Sequence, residues 1–280
     1  LNASCAPDGY SLFNSNDMRV QTSDTAAAET AWKGLYYVGG VAALLAVLFF
    51  RRNTATELVT FNGFGIFDVP ETWPAGSADW FTLFQQDSIM GLDLFDLFDL
   101  INYALVGLIF LALYGALRNR NKSAMVAATT FGFVGIAVYF ASNQAFSMLT
   151  LSGRYAAASE AEQAMFLAAG EALLANHNPG TIAQGTGIYI SLFLVLLAGL
   201  IASIVMLRSP DFHKAAAYCG IIANGFALIG LPALALGPAI AWAPPTISAP
   251  FRMIWYILIA IGLFRLAASI KDGESDISSA

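Results

Sequence analysis

The chain has 280 residues, of which 58% are apolar and only 11% charged, with a mean hydropathy of +0.65. That is too little charge to cover a soluble domain, where about a quarter of residues are charged. Repeated apolar runs of about twenty residues match the thickness of a bilayer instead, so the composition specifies an all-α integral membrane protein.

Residues 1–31 read as a polar, disordered tail. The segment LNASCAPDGYSLFNSND lacks the basic start and the apolar run of a signal peptide, and Met18 is the alternative start to Leu1. Cys5 and Cys219 lie in unlike contexts, a polar tail and a span, and suggest neither a disulfide nor a metal site.

A single membrane domain is expected over 32–270. Span 1 (32–50) is anchored by Trp32, Lys33, Tyr36 and Tyr37, and Gly39, Gly40, Ala42 and Ala43 form a small-residue face that another helix can approach. Arg51 and Arg52 end it. Residues 53–92 carry Glu57, Asp68, Glu71, Asp79 and Asp87 with no Lys or Arg, and Pro70, Pro74 and Gly76 break any long helix. Within them, WFTLFQ (80–85) is a short aromatic amphipathic stretch expected to lie along the membrane surface.

Span 2 (96–117) runs from the aspartates Asp93, Asp96 and Asp99 to the basic turn of Arg118, Arg120 and Lys122. Span 3 (124–148) brings Asn143 and Gln144 to the outer surface. In the second external segment, 149–183, Ser159 and Glu162 are spaced as a capping box. The helix that follows, 160–175, presents Met165, Phe166, Leu173 and Leu174 to the bundle or to lipid and stops at Asn178-Pro179-Gly180. Span 4 (187–207) leaves at Arg208. Span 5 (215–236) has Asn224 at mid-depth, and the proline-rich GPAIAWAPPTISAP forms a short rigid turn with Trp242 at the interface. Span 6 (251–267) ends with Arg265 and Lys271, before a polar tail over 271–280.

Basic residues flank the predicted inner ends of spans 2/3, 4/5 and 6, so the positive-inside rule puts both termini in the cytoplasm and loops 53–92 and 149–183 outside the cell membrane. Arg51 and Arg52 dissent, beside a loop acidic enough to supply them with partners.

Several of these stretches, WKGLYYVGGVAALLAVLFFRRN, WFTLFQ, NYALVGLIFLALYGALR, GFVGIAVYFASNQAFSMLTLSGRYAAA, SIVMLRS, AYCGIIANG and IWYILI, together resemble an uncharacterised family of prokaryotic multispan membrane proteins grouped under a domain of unknown function. The resemblance covers most of 32–266 and implies an all-helical membrane fold with a long first external loop. It implies no activity.

Spacing of three puts Asp93, Asp96 and Asp99 within an arc of about 120° on one helix side, where they can bind a cation or relay protons. The simpler account is that acids favour a helix N-terminus. Asp99 lies a turn deeper and fits that account less well. Arg252, in the outer part of span 6, sits at the depth of Asp99, and its guanidinium is expected within hydrogen-bonding range of Asp96 or Asp99; the alternative is snorkelling to headgroups. Asn102, Asn143, Gln144 and Arg154 fall at the same outer level, and Asn224 is expected to bond across helices as packing glue.

His177 and His213 stand on opposite sides, and nothing matches an H-E-x-x-H, P-loop, dinucleotide or nucleophile-elbow motif, so the sequence names no catalytic group, cofactor or metal. Nor does a basic, aromatic-interleaved surface suggest nucleic acid.

Three function classes remain. The first, favoured by the aromatic content of 13%, is a non-catalytic scaffold, subunit or lipid- or small-hydrophobe-binding protein, whose partners are membrane lipids, a hydrophobic small molecule or another protein. The others are a small transporter or channel with an acidic outer vestibule, and a lipid-modifying intramembrane enzyme using Asp96, Asp99 and Arg252. A polar path from Asp99 past Asn224 to the inner side would favour transport, a sealed apolar core a scaffold or binding protein, and a pocket opening sideways beside Asp99 the enzyme.

Overall fold

The computed structural model describes residues 15–49, 73–181, 184–233, 236–237, 240 and 243–270, with side chains from residue 31 onward. Arg51, Arg52, Glu57, Asp68, Glu71, Trp242, Lys271 and both outermost tails lie outside these. Among the described residues the regular structure is all α-helical: α1 (Ser15–Leu48), α2 (Ser77–Gln86), α3 (Ser88–Leu94), α4 (Leu97–Leu117), α5 (Lys122–Ser142), α6 (Ala145–Ala157), α7 (Glu160–Asn176), α8 (Thr186–Met206), α9 (Lys214–Ala233) and α10 (Ala243–Ser269). Six stretches among them are long and apolar enough to cross a membrane, as expected: Ala31–Leu48, Leu97–Leu117, Lys122–Ala157, Thr186–Met206, Lys214–Ala233 and Ala243–Ser269.

The spanning helices α1, α4, α5, α8, α9 and α10 form a ring in chain order, each packed on the one before it, and α10 closes against α1. Small residues set the spacing. The Cα of Gly39 lies against Ala112 of α4, and a Cβ built on Gly40 would meet the Phe264 ring of α10 at 2.6 Å, so the small face read from span 1 is where α1 meets both neighbours. Within the ring the buried core is rich in alanine, with Ala42, Ala43, Ala46, Ala112, Ala198, Ala202, Ala216, Ala217, Ala260 and Ala267. The Arg118 guanidinium lies 3.9 Å over the Trp32 ring, and Arg120 reaches Asp211 at 3.9 Å. These contacts put the N-terminal end of span 1, the basic turn after α4 and the loop before α9 on one face.

A cap of α2, α3, α6 and α7 occupies the opposite end, where α4 begins and α5 ends. Its core is separate from that of the ring and is made of Trp80, Phe81, Phe84, Met90, Leu94, Phe95, Ala145, Met148 and Leu174. The stretch expected to lie on the membrane surface is therefore the centre of this core: Trp80 and Phe81 are 0% exposed. Its apolar face meets α6 and α7 rather than lipid, because those helices supply a partner surface that a local reading cannot see. Hydrogen bonds fasten the layers: the Ser152 hydroxyl donates to Phe81 O at 3.0 Å, Ser77 N donates to Glu171 Oε1 at 2.6 Å, and the Ser77 hydroxyl donates to Leu167 O at 3.0 Å. In the capping box at the start of α7, the Glu162 carboxylate accepts from both Ser159 Oγ (2.7 Å) and Ser159 N (3.1 Å). Those two bonds, the hydroxyl's first, hold the Glu162 pKa below its ordinary value.

Other boundaries move. The tail before span 1 is helical from Ser15 on, since TAAAETA continues the helix with good helix formers. Span 3 stops at Ser142: the backbone turns extended at Asn143 (φ −69°, ψ 133°), and residues 145–148 belong to α6. The proline-rich turn before span 6 is shorter than expected, because residues 243–250 already form the start of α10. Pro244 and Pro245 fit a first helical turn, where no intrahelical N–H bond is needed. Span 5 ends at Ala233.

Candidate functional site

The three aspartates do not form a ladder on one helix. Asp93 is buried in α3, Asp99 lies in the first turn of α4, and Asp96 between them adopts a left-handed conformation (φ 65°, ψ 32°). Such a backbone costs a non-glycine residue about 1–2 kcal/mol. It separates the two helices and keeps the Asp96 side chain from capping α4, which has no side-chain cap there. The carboxylate is instead 3.3 Å from His177 Nε2.

His177 is the residue that sequence reasoning missed. It ends α7, where its N–H still donates to Leu173 O at 2.9 Å, and its ring returns to the bundle to sit against Phe95 (centroids 5.5 Å apart) and edge-on to Tyr139 (6.5 Å). It is only 2% exposed, yet neither ring nitrogen has a hydrogen-bond partner, because Asp96 is at ion-pair distance but off the hydrogen-bond line. The one available signal was its position beside the helix-terminating Asn178-Pro179-Gly180.

From α4, Asp99, Asn102 and Tyr103 follow the i, i+3, i+4 spacing of one helix face. Tyr103 stacks flat on Tyr139 of α5, with centroids 3.9 Å apart and an interplanar angle of 2°. The Tyr139 hydroxyl donates to Asp99 Oδ2 at 3.4 Å. Asn102 is 7% exposed, and its Oδ1 has no hydrogen-bond partner. A buried acceptor left this way costs about 1–3 kcal/mol. On the other side, Arg252 and Tyr256, one turn apart on α10, hydrogen-bond through their side chains, and the Asp99 charge reaches the same phenol. Arg252 and Asp99 thus come close to one another around the Tyr256 phenol.

Asn143 is the hinge of the site. Its Nδ2 donates to Asp96 O at 3.4 Å and its Oδ1 accepts from Ala145 N at 3.0 Å, so one side chain joins the end of α5, the start of α6 and the strained turn. Arg154 does not belong here. It is exposed on α6, whose buried face is Ala145, Met148 and Ser152, and the helical rise from Ala145 carries it about 13 Å along the axis from the start of α6. Asn224 stands apart at mid-depth: its Nδ2 donates to Gly220 O of its own helix at 2.8 Å. Its other side packs on Gly199 of α8, where a Cβ would meet Asn224 Oδ1 at 2.5 Å. The contact across helices is close packing, and the hydrogen bond stays within α9.

Below the site the ring is filled by Ile109, Leu113, Ala198, Ala202, Ile259, Ala260 and Leu263. Of the buried polar groups there, Ser203 Oγ donates to Gly199 O at 2.7 Å and Asn224 Nδ2 to Gly220 O at 2.8 Å, each within its own helix, while Ser191 Oγ and Trp255 Nε1 have no hydrogen-bond partner. Among the described residues no three His, Cys, Asp or Glu side chains converge to hold a metal ion.

Comparison with protein families, curated proteins and solved structures returns no match. The geometry has to speak for the chemistry. It gathers two carboxylates, one guanidinium, an imidazole, three phenols and two carboxamides under a helical cap, over an apolar plug. Such an array can hold a polar group by charge and hydrogen bonding.

Proposed function

We propose that the protein is a non-catalytic binding protein of the cell membrane, which holds a lipid or other small amphiphile by its polar end between cap and ring. In this reading the cap faces outward and both termini are cytoplasmic. The observation that carries it is the buried Asn102 Oδ1, which has no hydrogen-bond partner, close to the buried His177 ring, whose nitrogens make no hydrogen bond and have Asp96 at ion-pair distance. Native proteins satisfy most buried polar atoms, and those left over mark sites that something else completes. The apolar plug below supports binding over passage, since a transported solute needs polar partners along its way. The resemblance to prokaryotic multispan proteins agrees with this placement and adds no activity.

The test is purification in native lipid, followed by mass spectrometry of what remains bound. One amphiphile enriched over the bulk membrane, and lost on Asp99→Leu, is the expected result. A lipid complement identical to the bulk in wild type and variant would overturn the reading.

A further inference from the structure

We propose that the end of the ring away from the cap carries a second site, at Arg118, which takes the phosphate of an anionic membrane lipid. It goes beyond the binding reading above and shares no residue with it. Arg118 follows the last turn of α4. Its guanidinium lies 3.9 Å over the Trp32 ring of α1, a separation short enough to be a face contact. The ring is itself held. It rests on Gly115, where a Cβ would meet it at 2.5 Å, and tilts against Tyr114 with centroids 6.4 Å apart. Trp32 thus bridges the seam between α1 and α4 and fixes the guanidinium there.

That hold leaves the donors unspent. The five N–H groups of a guanidinium lie in its plane, and a ring against its face accepts none of them. Among the described residues Arg118 makes no hydrogen bond and no ion pair, and its Nη1 is buried without a hydrogen-bond partner. A half-buried arginine without an acceptor calls for one. The loops that meet at this end do not supply it. Residues 117–122 and 207–214 set Arg118, Arg120, Lys122, Arg208 and Lys214 against one acid, Asp211, and Arg120 reaches that acid at 3.9 Å.

The anion is left to come from the surroundings. Trp32 and Tyr114 are aromatic neighbours at a helix end, the position at which such rings mark the headgroup level of a membrane. The acceptors abundant at that level are lipid phosphates, whose oxygens match the guanidinium fork. The neighbouring bases repel a headgroup ammonium, so the lipid that fits carries net negative charge.

The same chemistry could arrive as free phosphate, and the experiment separates the two sources. The full chain is placed in phosphatidylcholine nanodiscs containing equal minor fractions of phosphatidylglycerol and phosphatidylethanolamine, and retained lipid is read by native mass spectrometry. A parallel arm adds inorganic phosphate to the protein in detergent and reads thermal stability. Phosphatidylglycerol should be retained about tenfold over either competitor, the worth of one hydrogen bond to a charged group, and Arg118→Gln should abolish the preference. Arg208→Gln removes the same charge from an exposed position at the same end, and should change the preference about twofold at most.

Equal losses in Arg118→Gln and Arg208→Gln would mean that diffuse charge attracts the lipid, and would overturn the site. Stabilisation by phosphate in wild type but not in Arg118→Gln, with no selective lipid retention, assigns the anion to solution and overturns the lipid. A wild type that neither prefers phosphatidylglycerol nor responds to phosphate overturns both. Should Arg118→Gln not fold, Arg118→Lys decides: it keeps the charge and loses the planar fork, so the preference should fall severalfold, and an unchanged preference sinks the proposal.

Discussion

The ring and the cap are both helical and adjoin each other, yet their cores differ in make-up. The ring's core sets many alanines, among them Ala43, Ala112 and Ala202, beside large residues such as Phe110, Tyr139 and Trp255, and its helices meet where a side chain would not fit, as Gly39 meets Ala112 and Gly220 meets Ser203 and Trp255. The cap's core is built around four aromatic side chains and holds a single alanine, Ala145, with Trp80 edge-on to Phe95 at a centroid distance of 4.8 Å. Small residues let the spanning helices approach closely, which is the gain open to helices surrounded by lipid. Each aromatic side chain buried in the cap contributes a large apolar surface and specific ring contacts from a single residue.

The largest test of this comparison is Trp80→Ala. Removing a fully buried indole should cost about 3–5 kcal/mol, and hydrogen exchange should show the cap opening over 77–94 and 145–176 while the ring amides stay protected. Equal loss in both regions would mean that they are one cooperative unit. In the ring, Gly220→Val forces α9 away from Trp255, whose Cδ1 would lie 2.8 Å from the new Cβ. A cost of about 1–3 kcal/mol is expected, read as a lower Tm in detergent with the cap's exchange unchanged.

A third change works at the boundary and has the opposite sign. Asn102→Leu removes an unpartnered buried acceptor, so the unliganded protein should gain about 1 kcal/mol while ligand retention is lost. A loss of stability would mean that the carboxamide is holding the fold together. The smallest effect belongs to Glu162. Its carboxyl pKa is lowered in the folded protein by the bonds from Ser159, so the stabilisation is present above the ordinary carboxylate value and is lost as pH falls through the lower folded one. Increased fraying of the first turn of α7 on acidification, absent in Glu162→Gln, should show it by hydrogen exchange.

The ring was readable because each span is a long apolar run bounded by basic residues, and a run of that length has one solvent it can match. The cap was not, because WFTLFQ has the same amphipathic pattern whether its face meets lipid or α6 and α7, and those helices lie more than sixty residues away. The site divides the same way. Asp99, Asn102 and Arg252 stood out as polar groups in apolar runs. Asp96 was read as an ordinary helix start, because no local signal reports a left-handed backbone at a residue other than glycine. His177 was passed over because its chemistry arises only when the end of α7 folds back onto Phe95 and Tyr139.

The sequential order of the ring bears on how the chain is made. Each spanning helix finds its neighbour already in the bilayer when it leaves the ribosome, so assembly needs no rearrangement until the end. The seam between α1 and α10 alone waits for completion. Until residue 269 is synthesised, Gly39 has its partner on α4, but Gly40 and the α10-facing side of α1 lie open to lipid. A chain truncated before its last helix would carry that open edge, a feature by which membrane quality control can tell an unfinished copy from a finished one.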